Sequence, residues 1–270
     1  MYATIDNDRI AYDMHGTHGP AIVLMHGMGD FRESWDQVAP MLVDAGYRVI
    51  QLDSRGHGES GTSFADYSPE ATTRDVLAVL DAEGIRAAHL VGNSYTGATA
   101  VLLAARSPER VLSITLSNPF VHDMPADQYF RPLIPFVFAR PWGPALWGMY
   151  YKTLLPTAPE GLAKRVASRV ESMREPGRME AMRAMGRASK AGVEAELGNV
   201  HQRALMLMGG ADPDYTDPEA EGQWIADHLG GQTDVVVIAD VGHYPHVERP
   251  QLTAAAILKH VGRNGVSSAA

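Results

Sequence analysis

The 270-residue sequence contains no cysteine. That excludes a disulfide framework, a thiolate nucleophile and any cysteine-ligated metal. Basic residues are in deficit, with 23 Lys and Arg against 32 Asp and Glu and a formal charge of -9. Binding to nucleic acid or an anionic membrane needs clustered cations that displace counterions, so neither partner is expected. No run of about 18 apolar residues occurs, and the opening MYATIDNDRIAYD lacks both the basic start and the apolar segment of an export signal. The expectation is a cytoplasmic protein without membrane insertion, whose oligomeric state the sequence leaves open. Neither G-x-G-x-x-G nor G-x-x-x-x-G-K-[ST] is present, no H-E-x-x-H places two histidines on one helix face, and there is no internal repeat. No cofactor and no metal are therefore expected, and a small-molecule substrate is the implied partner.

What is present is a 45% hydrophobic chain, long enough to bury a large core. Residues 9–14 (RIAYDM) and 21–25 (AIVLM) read as strands, the second apolar throughout as a strand covered on both faces must be. Ser34 opens a helical pattern that Gly46 closes, and YRVIQLD follows as a strand ending at Asp53. After the glycine-rich DSRGHGESG, Ser68-Pro69-Glu70 starts a helix that stops at Gly84. The stretch AHLVGNSYTGATAVLLAA is a strand turning into a helix, and VLSITLS (111–117) is one more buried strand. Strands alternating with helices of this length indicate a mostly parallel sheet.

From Asn118 to about Gln202 this rhythm is lost to a helical, proline-broken region. The expected division is therefore 1–118 and 203–270 as an α/β core, with 119–202 as an inserted helical cap. Trp142, Trp147, Tyr150 and Tyr151 fall in one short piece of it, and Met173, Met179, Met182 and Met185 follow at helical spacing as adaptable apolar contacts. An aromatic-lined cap would supply an apolar pocket and exclude water. Gly27, Phe120, Trp142 and Trp147 are the candidate pocket residues. The rhythm resumes with RALMLMGG, a helix beginning near Asp217, the strand TDVVVIA and a last helix.

Ser94 sits where strand becomes helix, so its hydroxyl is pushed out of both elements, with the amide of Tyr95 at the helix N-terminus beside it. Gly92-Asn93-Ser94-Tyr95-Thr96 departs from G-x-S-x-G at its end, because Thr96 replaces a glycine that keeps the turn slim. A serine hydroxyl needs a base to take its proton, and the base needs a carboxylate to hold its tautomer. Asp212 and His243 each follow a strand at its carboxyl end, as Ser94 does, and the order Ser, Asp, His is that of the α/β-hydrolase arrangement. Asp214 and Asp217 are alternative acids. The backbone amides of Met28, in His26-Gly27-Met28-Gly29, and of Tyr95 are the candidate oxyanion donors. His26, His57 and His246 read as structural histidines.

Five blocks, HGMG, DSRGHGESG, GNSYTG, GGADP and GHYPHVERP, come in an order that resembles the α/β-hydrolase superfamily over nearly the whole chain. The resemblance implies a mostly parallel eight-stranded sheet with helices on both faces, a helical cap inserted after the sixth strand, and a serine hydrolase using Ser94, Asp212 and His243. It points first to a hydrolase of carboxylic esters or lactones with an apolar moiety. GNS followed by GATA is also similar to the meta-cleavage product hydrolases, which split a carbon-carbon bond; these would favour an arginine, such as Arg131, Arg140 or Arg187, for the substrate carboxylate. A third reading is a ligand-binding module that turns over slowly or not at all. Serine at the nucleophile position argues against the related haloalkane dehalogenases and epoxide hydrolases, which use aspartate.

Overall fold

The computed structural model describes residues 1–124 and 127–262. The small, polar tail expected from residue 264 onward lies outside them. Eight strands form one sheet: β1 (Tyr2–Ile5), β2 (Asp8–His15), β3 (Ala21–Met25), β4 (Arg48–Leu52), β5 (Ala88–Asn93), β6 (Val111–Ser117), β7 (Ala204–Gly209) and β8 (Thr233–Ile238). Their spatial order is β1-β2-β4-β3-β5-β6-β7-β8. The pairs β1–β2 and β2–β4 are antiparallel and the rest are parallel. Central strands β3, β5 and β7 are buried at every residue, as helices on both faces require. Alternate side chains serve the two faces. Ile22, Leu24, Val49 and Val91 pack with Trp35, Leu42 and Ile257, while Val23, Met25, Ile50 and Leu90 pack with Val76, Leu80 and Leu102.

Seven of these strands are those read from the sequence. The eighth, β1, has only four residues, too short an alternation to stand out in the sequence. Its evidence is in the turn: Asp6 and Asn7 both take positive φ, 52° and 62°, as a two-residue hairpin loop needs.

The helices that cover the sheet are α1 (Ala39–Asp44), α2 (Pro69–Ala82) and α3 (Tyr95–Arg106) before the sixth connection. The single helix expected after Ser34 is in fact two pieces, a 3₁₀ turn over Arg32–Trp35 and then α1. Pro40 falls in the first turn of α1, where its missing N–H does least harm, and upstream continuation would clash with its ring. Ser68 caps α2 as expected, accepting a 3.2 Å hydrogen bond from Ala71 N.

Between β6 and β7 come α4 (Asp127–Phe130), α5 (Ile134–Val137), α6 (Gly143–Thr153), α7 (Leu162–Ser172), α8 (Arg178–Arg187) and α9 (Ala191–Glu194), with no strand among the described residues. After β7 the chain adds α10 (Pro218–His228), α11 (Pro245–Glu248) and α12 (Pro250–Gly262). Phe138, Trp147, Tyr151, Leu154, Leu155, Met173, Met179 and Met182 form a third apolar cluster that includes Tyr244 and Val247 from the loop and helix after β8. The inserted helices are thereby packed on the loops at the carboxyl end of the sheet. Polar contacts add to this: Arg169 Nε donates to Asp30 at 2.8 Å, Arg178 Nη1 to Ser60 O at 2.8 Å, and Thr157 N to Glu248 Oε2 at 2.9 Å. None of the helices among the described residues is long and apolar enough to cross a membrane.

Candidate active site

β5 ends at Asn93 and α3 begins at Tyr95, so Ser94 alone makes the turn, at φ 57° and ψ -120°. A non-glycine residue there is strained by about 1–3 kcal/mol and persists only where its surroundings over-determine it. They do so here. Ser94 N donates to Ser117 O at 2.9 Å, and Ser94 O accepts from Gly97 N at 3.0 Å and Phe120 N at 3.1 Å. The glycines on either side leave the space: a Cβ on Gly92 would stand 2.4 Å from Thr96 O, and one on Gly97 2.5 Å from Pro119 Cβ. The fit of Thr96 is also explained. Its side chain is buried, and its hydroxyl lies 2.9 Å from Asn93 O and 3.2 Å from Met25 O at the end of β3, so it ties the turn back to the neighbouring strand.

Asp212 follows β7 and His243 follows β8. His243 Nδ1 lies 2.6 Å from Asp212 Oδ2, and both side chains are buried. The imidazole is fixed from its backbone as well, since His243 N donates to Leu154 O at 2.9 Å and His243 O accepts from Asn93 Nδ2 at 3.0 Å. Burial opposes the cation, but the Asp212 charge and hydrogen bond outweigh it, helped by Asp214 and Asp30, and the His243 pKa is raised above the ordinary histidine range. Asn93 thus joins the loop of His243 to the residue beside Ser94. Phe120, whose amide holds Ser94 O, lies with its ring 5.5 Å from that of His243. Among the described residues Ser94 Oγ makes no hydrogen bond to His243; such bonds are often long before substrate binds and tighten in the complex.

Of the alternative acids, Asp217 is committed elsewhere: its Oδ1 accepts from Ala220 N at 3.0 Å and caps α10. Asp214 is close, with Oδ2 3.4 Å from His243 Nδ1. Asp212, Asp214 and His243 also form the one grouping of three potential metal ligands among the described residues. Their hydrogen bonds to one another and to Tyr150 account for the arrangement without an ion.

The loop after β3 carries the candidate oxyanion donors. His26 Nε2 accepts from Ser54 N at 3.0 Å, and His57 Nε2 accepts from Gly29 N at 2.9 Å. Both rings are buried, and burial holds His57 near a pKa of about 3, so it remains neutral and able to accept. These two histidines brace the loop. His246 stacks on Trp35 at 3.9 Å, and its ring nitrogens have no hydrogen-bond partner among the described residues. Gly27 comes so near Ser94 that a Cβ would stand 2.9 Å from Ser94 Cβ. Among the described residues neither Met28 N nor Tyr95 N donates a hydrogen bond, which leaves two amides beside Ser94 free to receive an anion.

Trp147 lies over this loop; its ring would be 2.5 Å from a Cβ on Gly29. Trp142 is different, 41% exposed with its ring 5.3 Å from Phe136 and its Nε1 donating to Phe136 O. The three arginines have other engagements or face outward: Arg131 pairs with Asp123, Arg140 donates to Glu175 O, and Arg187 is exposed. Sequence reasoning missed several positioning residues. Asn118 accepts from Gly209 N at 2.8 Å and donates to Gly242 O at 3.0 Å, tying the ends of β6 and β7 to the loop of His243. Glu248 Oε1 accepts from Gly242 N at 2.7 Å. The asparagines in GNS and SNP, each ending a buried strand, were the available signal.

Residues 20–250 match the family model described as the alpha/beta hydrolase fold. The chain belongs to the α/β-hydrolase family. Over 97% of its length this α/β hydrolase is 29% identical to 69% of the dihydrolipoyllysine-residue acetyltransferase component of the acetoin cleaving system of Cupriavidus necator. Over 87% of its length it is 26% identical to 85% of 3-oxoadipate enol-lactonase 1 of Acinetobacter baylyi. Among solved structures, the enol-lactonase from Burkholderia xenovorans shares the fold with a TM-score of 0.82 at 23% identity, covering 97% of this chain and all of that one.

Proposed function

We propose that this α/β hydrolase cleaves carboxylic esters or lactones with an apolar moiety through an acyl-enzyme on Ser94. The reading is supported chiefly by the buried His243–Asp212 pair after β7 and β8, beside a strained serine after β5 and two amides that donate no hydrogen bond among the described residues. Asp212 accepts a hydrogen bond from Nδ1–H and so leaves Nε2 of His243 as the base. His243 takes the Ser94 proton as Oγ attacks the carbonyl carbon, and Met28 N and Tyr95 N receive the oxyanion. Collapse of the tetrahedral adduct breaks the bond to the alcohol oxygen, which takes the proton from His243. Water, activated by the same imidazole, then releases the acid and frees Ser94. In a lactone the freed alcohol remains part of the acyl chain, and the second step releases a single hydroxy acid.

Residues 119–202 act as the cap in this reading. Phe120 lies beside His243, Gly27 beside Ser94 and Trp147 over Gly29, while Trp142 is 41% exposed. Similarity to an enol-lactonase over most of both chains supports a cyclic or open ester as substrate. With p-nitrophenyl butyrate the expected time course is a burst of about one equivalent of nitrophenol per enzyme followed by slower turnover. Ligand binding with no nitrophenol release counts against the reading.

A further inference from the structure

The turn after β7 carries a second carboxylate that the mechanism above does not use. Asp214 Oδ2 lies 3.4 Å from His243 Nδ1, against 2.6 Å for Asp212 Oδ2. The two acids are held as a unit, because Asp214 N donates to Asp212 Oδ1 at 3.0 Å. The far oxygen of Asp214 is also engaged: the hydroxyl of Tyr150, on α6, donates to its Oδ1. Tyr150 is 41% exposed as a residue, but its hydroxyl sits buried against the carboxylates of Asp214 and Asp212; that burial and those charges hold the phenol protonated, so this group stays a donor. One imidazole nitrogen therefore faces two carboxylates, and a residue of the inserted helices aims the second. Asp30 in the loop after β3, Tyr244 with its ring 5.2 Å from that of His243, His246 on α11 and the buried Tyr215 are other titratable groups acting on this cluster.

We propose, resting on the triad reading, that Asp214 is a second acid for His243 and that Tyr150 is its positioning residue. Before attack the Nδ1 proton is shared chiefly with Asp212. Once Nε2 has taken the Ser94 proton the ring carries a full charge, and a second carboxylate within 4 Å adds to its stabilisation. Burial raises the pKa of Asp214, as does Asp212, while His243 and the Tyr150 hydroxyl favour its charged form. Tyr150 comes from the cap, so docking of α6 sets how well the base is supported.

The test compares D212N, D214N, D212N/D214N and Y150F using the pH dependence of kcat/KM for p-nitrophenyl butyrate. The imidazole pKa of His243 is measured in parallel by ¹⁵N NMR, which needs no turnover. D214N and Y150F are expected to move the acid limb and the imidazole pKa to lower pH and to lower kcat by about 3- to 30-fold, with KM little changed. D212N should retain about 10-fold more activity than the double variant, because Asp214 still orients the ring. An unshifted imidazole pKa in D214N, or a D212N variant no more active than D212N/D214N, overturns the assignment of Asp214. A shift in D214N without one in Y150F removes Tyr150 from it. Full ester turnover by Ser94→Ala overturns the triad reading instead, and Ser94-dependent turnover with wild-type behaviour in D214N overturns this inference alone.

Discussion

Ser94→Ala and His243→Ala will each lower kcat for an activated ester by about a thousandfold or more, and the double variant will lose scarcely more than either alone. The reason is that the hydroxyl and the imidazole act as one unit. Without the base the hydroxyl is a poor nucleophile, and without the hydroxyl the base has no proton to take. Residual activity would come from the two unpaired amides and the binding surface, which neither substitution touches. The fold should survive, because Ser94 is held through its backbone by Ser117, Gly97 and Phe120, and alanine keeps those bonds. Kinetics of the two single variants and the double variant, with thermal unfolding as a control, provide the check. Losses that multiply in the double variant show two independent roles.

The second large effect concerns stability. Arg169→Ala should destabilise the protein by about 3 kcal/mol, because it leaves Asp30 charged and fully buried. Three partners remain and temper the loss: Phe31 N at 2.9 Å, Tyr151 Oη at 3.2 Å and Arg165 Nη1 at 4.0 Å. The pH dependence follows from the same pair. Burial alone would raise the Asp30 pKa, but Arg169 and Arg165 outweigh it and bring the value down from 3.8 to about 2. A carboxylate depressed on folding contributes stability above its unfolded pKa, and that contribution is lost as pH falls from 3.8 to about 2. Removing Arg169 lets burial prevail, so acid unfolding should begin at higher pH in the variant. Urea titrations at several pH values test both points. An unchanged midpoint at neutral pH means that the Asp30–Arg169 pair does not hold α7 to the loop after β3.

Seven strands could be read from the sequence because each is a short apolar run closed by glycine, proline or a polar turn. The triad candidates were visible for a related reason: Ser94, Asp212 and His243 all follow such runs, and strand ends in a parallel sheet converge on one edge. Local patterns could not show the contacts that bind the inserted helices to the site. Arg169 and Asp30 are 139 residues apart, and Tyr150 and Asp214 are 64 apart. In each pair both residues look like ordinary surface groups until the chain brings them together. The same holds for Asn93 and Asn118. Their side chains tie strand ends to the loop of His243 across 150 and 124 residues, and an asparagine after a strand more often marks a turn. Trp142 shows the opposite limit: composition placed it among pocket candidates, but its 41% exposure and its bond to Phe136 O come from its orientation just before α6, which composition does not encode.

The central claim is that Ser94 is the nucleophile. Treating the protein with a fluorophosphonate and mapping the adduct by peptide mass spectrometry tests it directly. The account predicts a single stoichiometric adduct on the peptide containing Gly92-Asn93-Ser94-Tyr95, absent from Ser94→Ala and formed far more slowly in His243→Ala. An adduct on another residue, or equal labelling of wild type and Ser94→Ala, contradicts it.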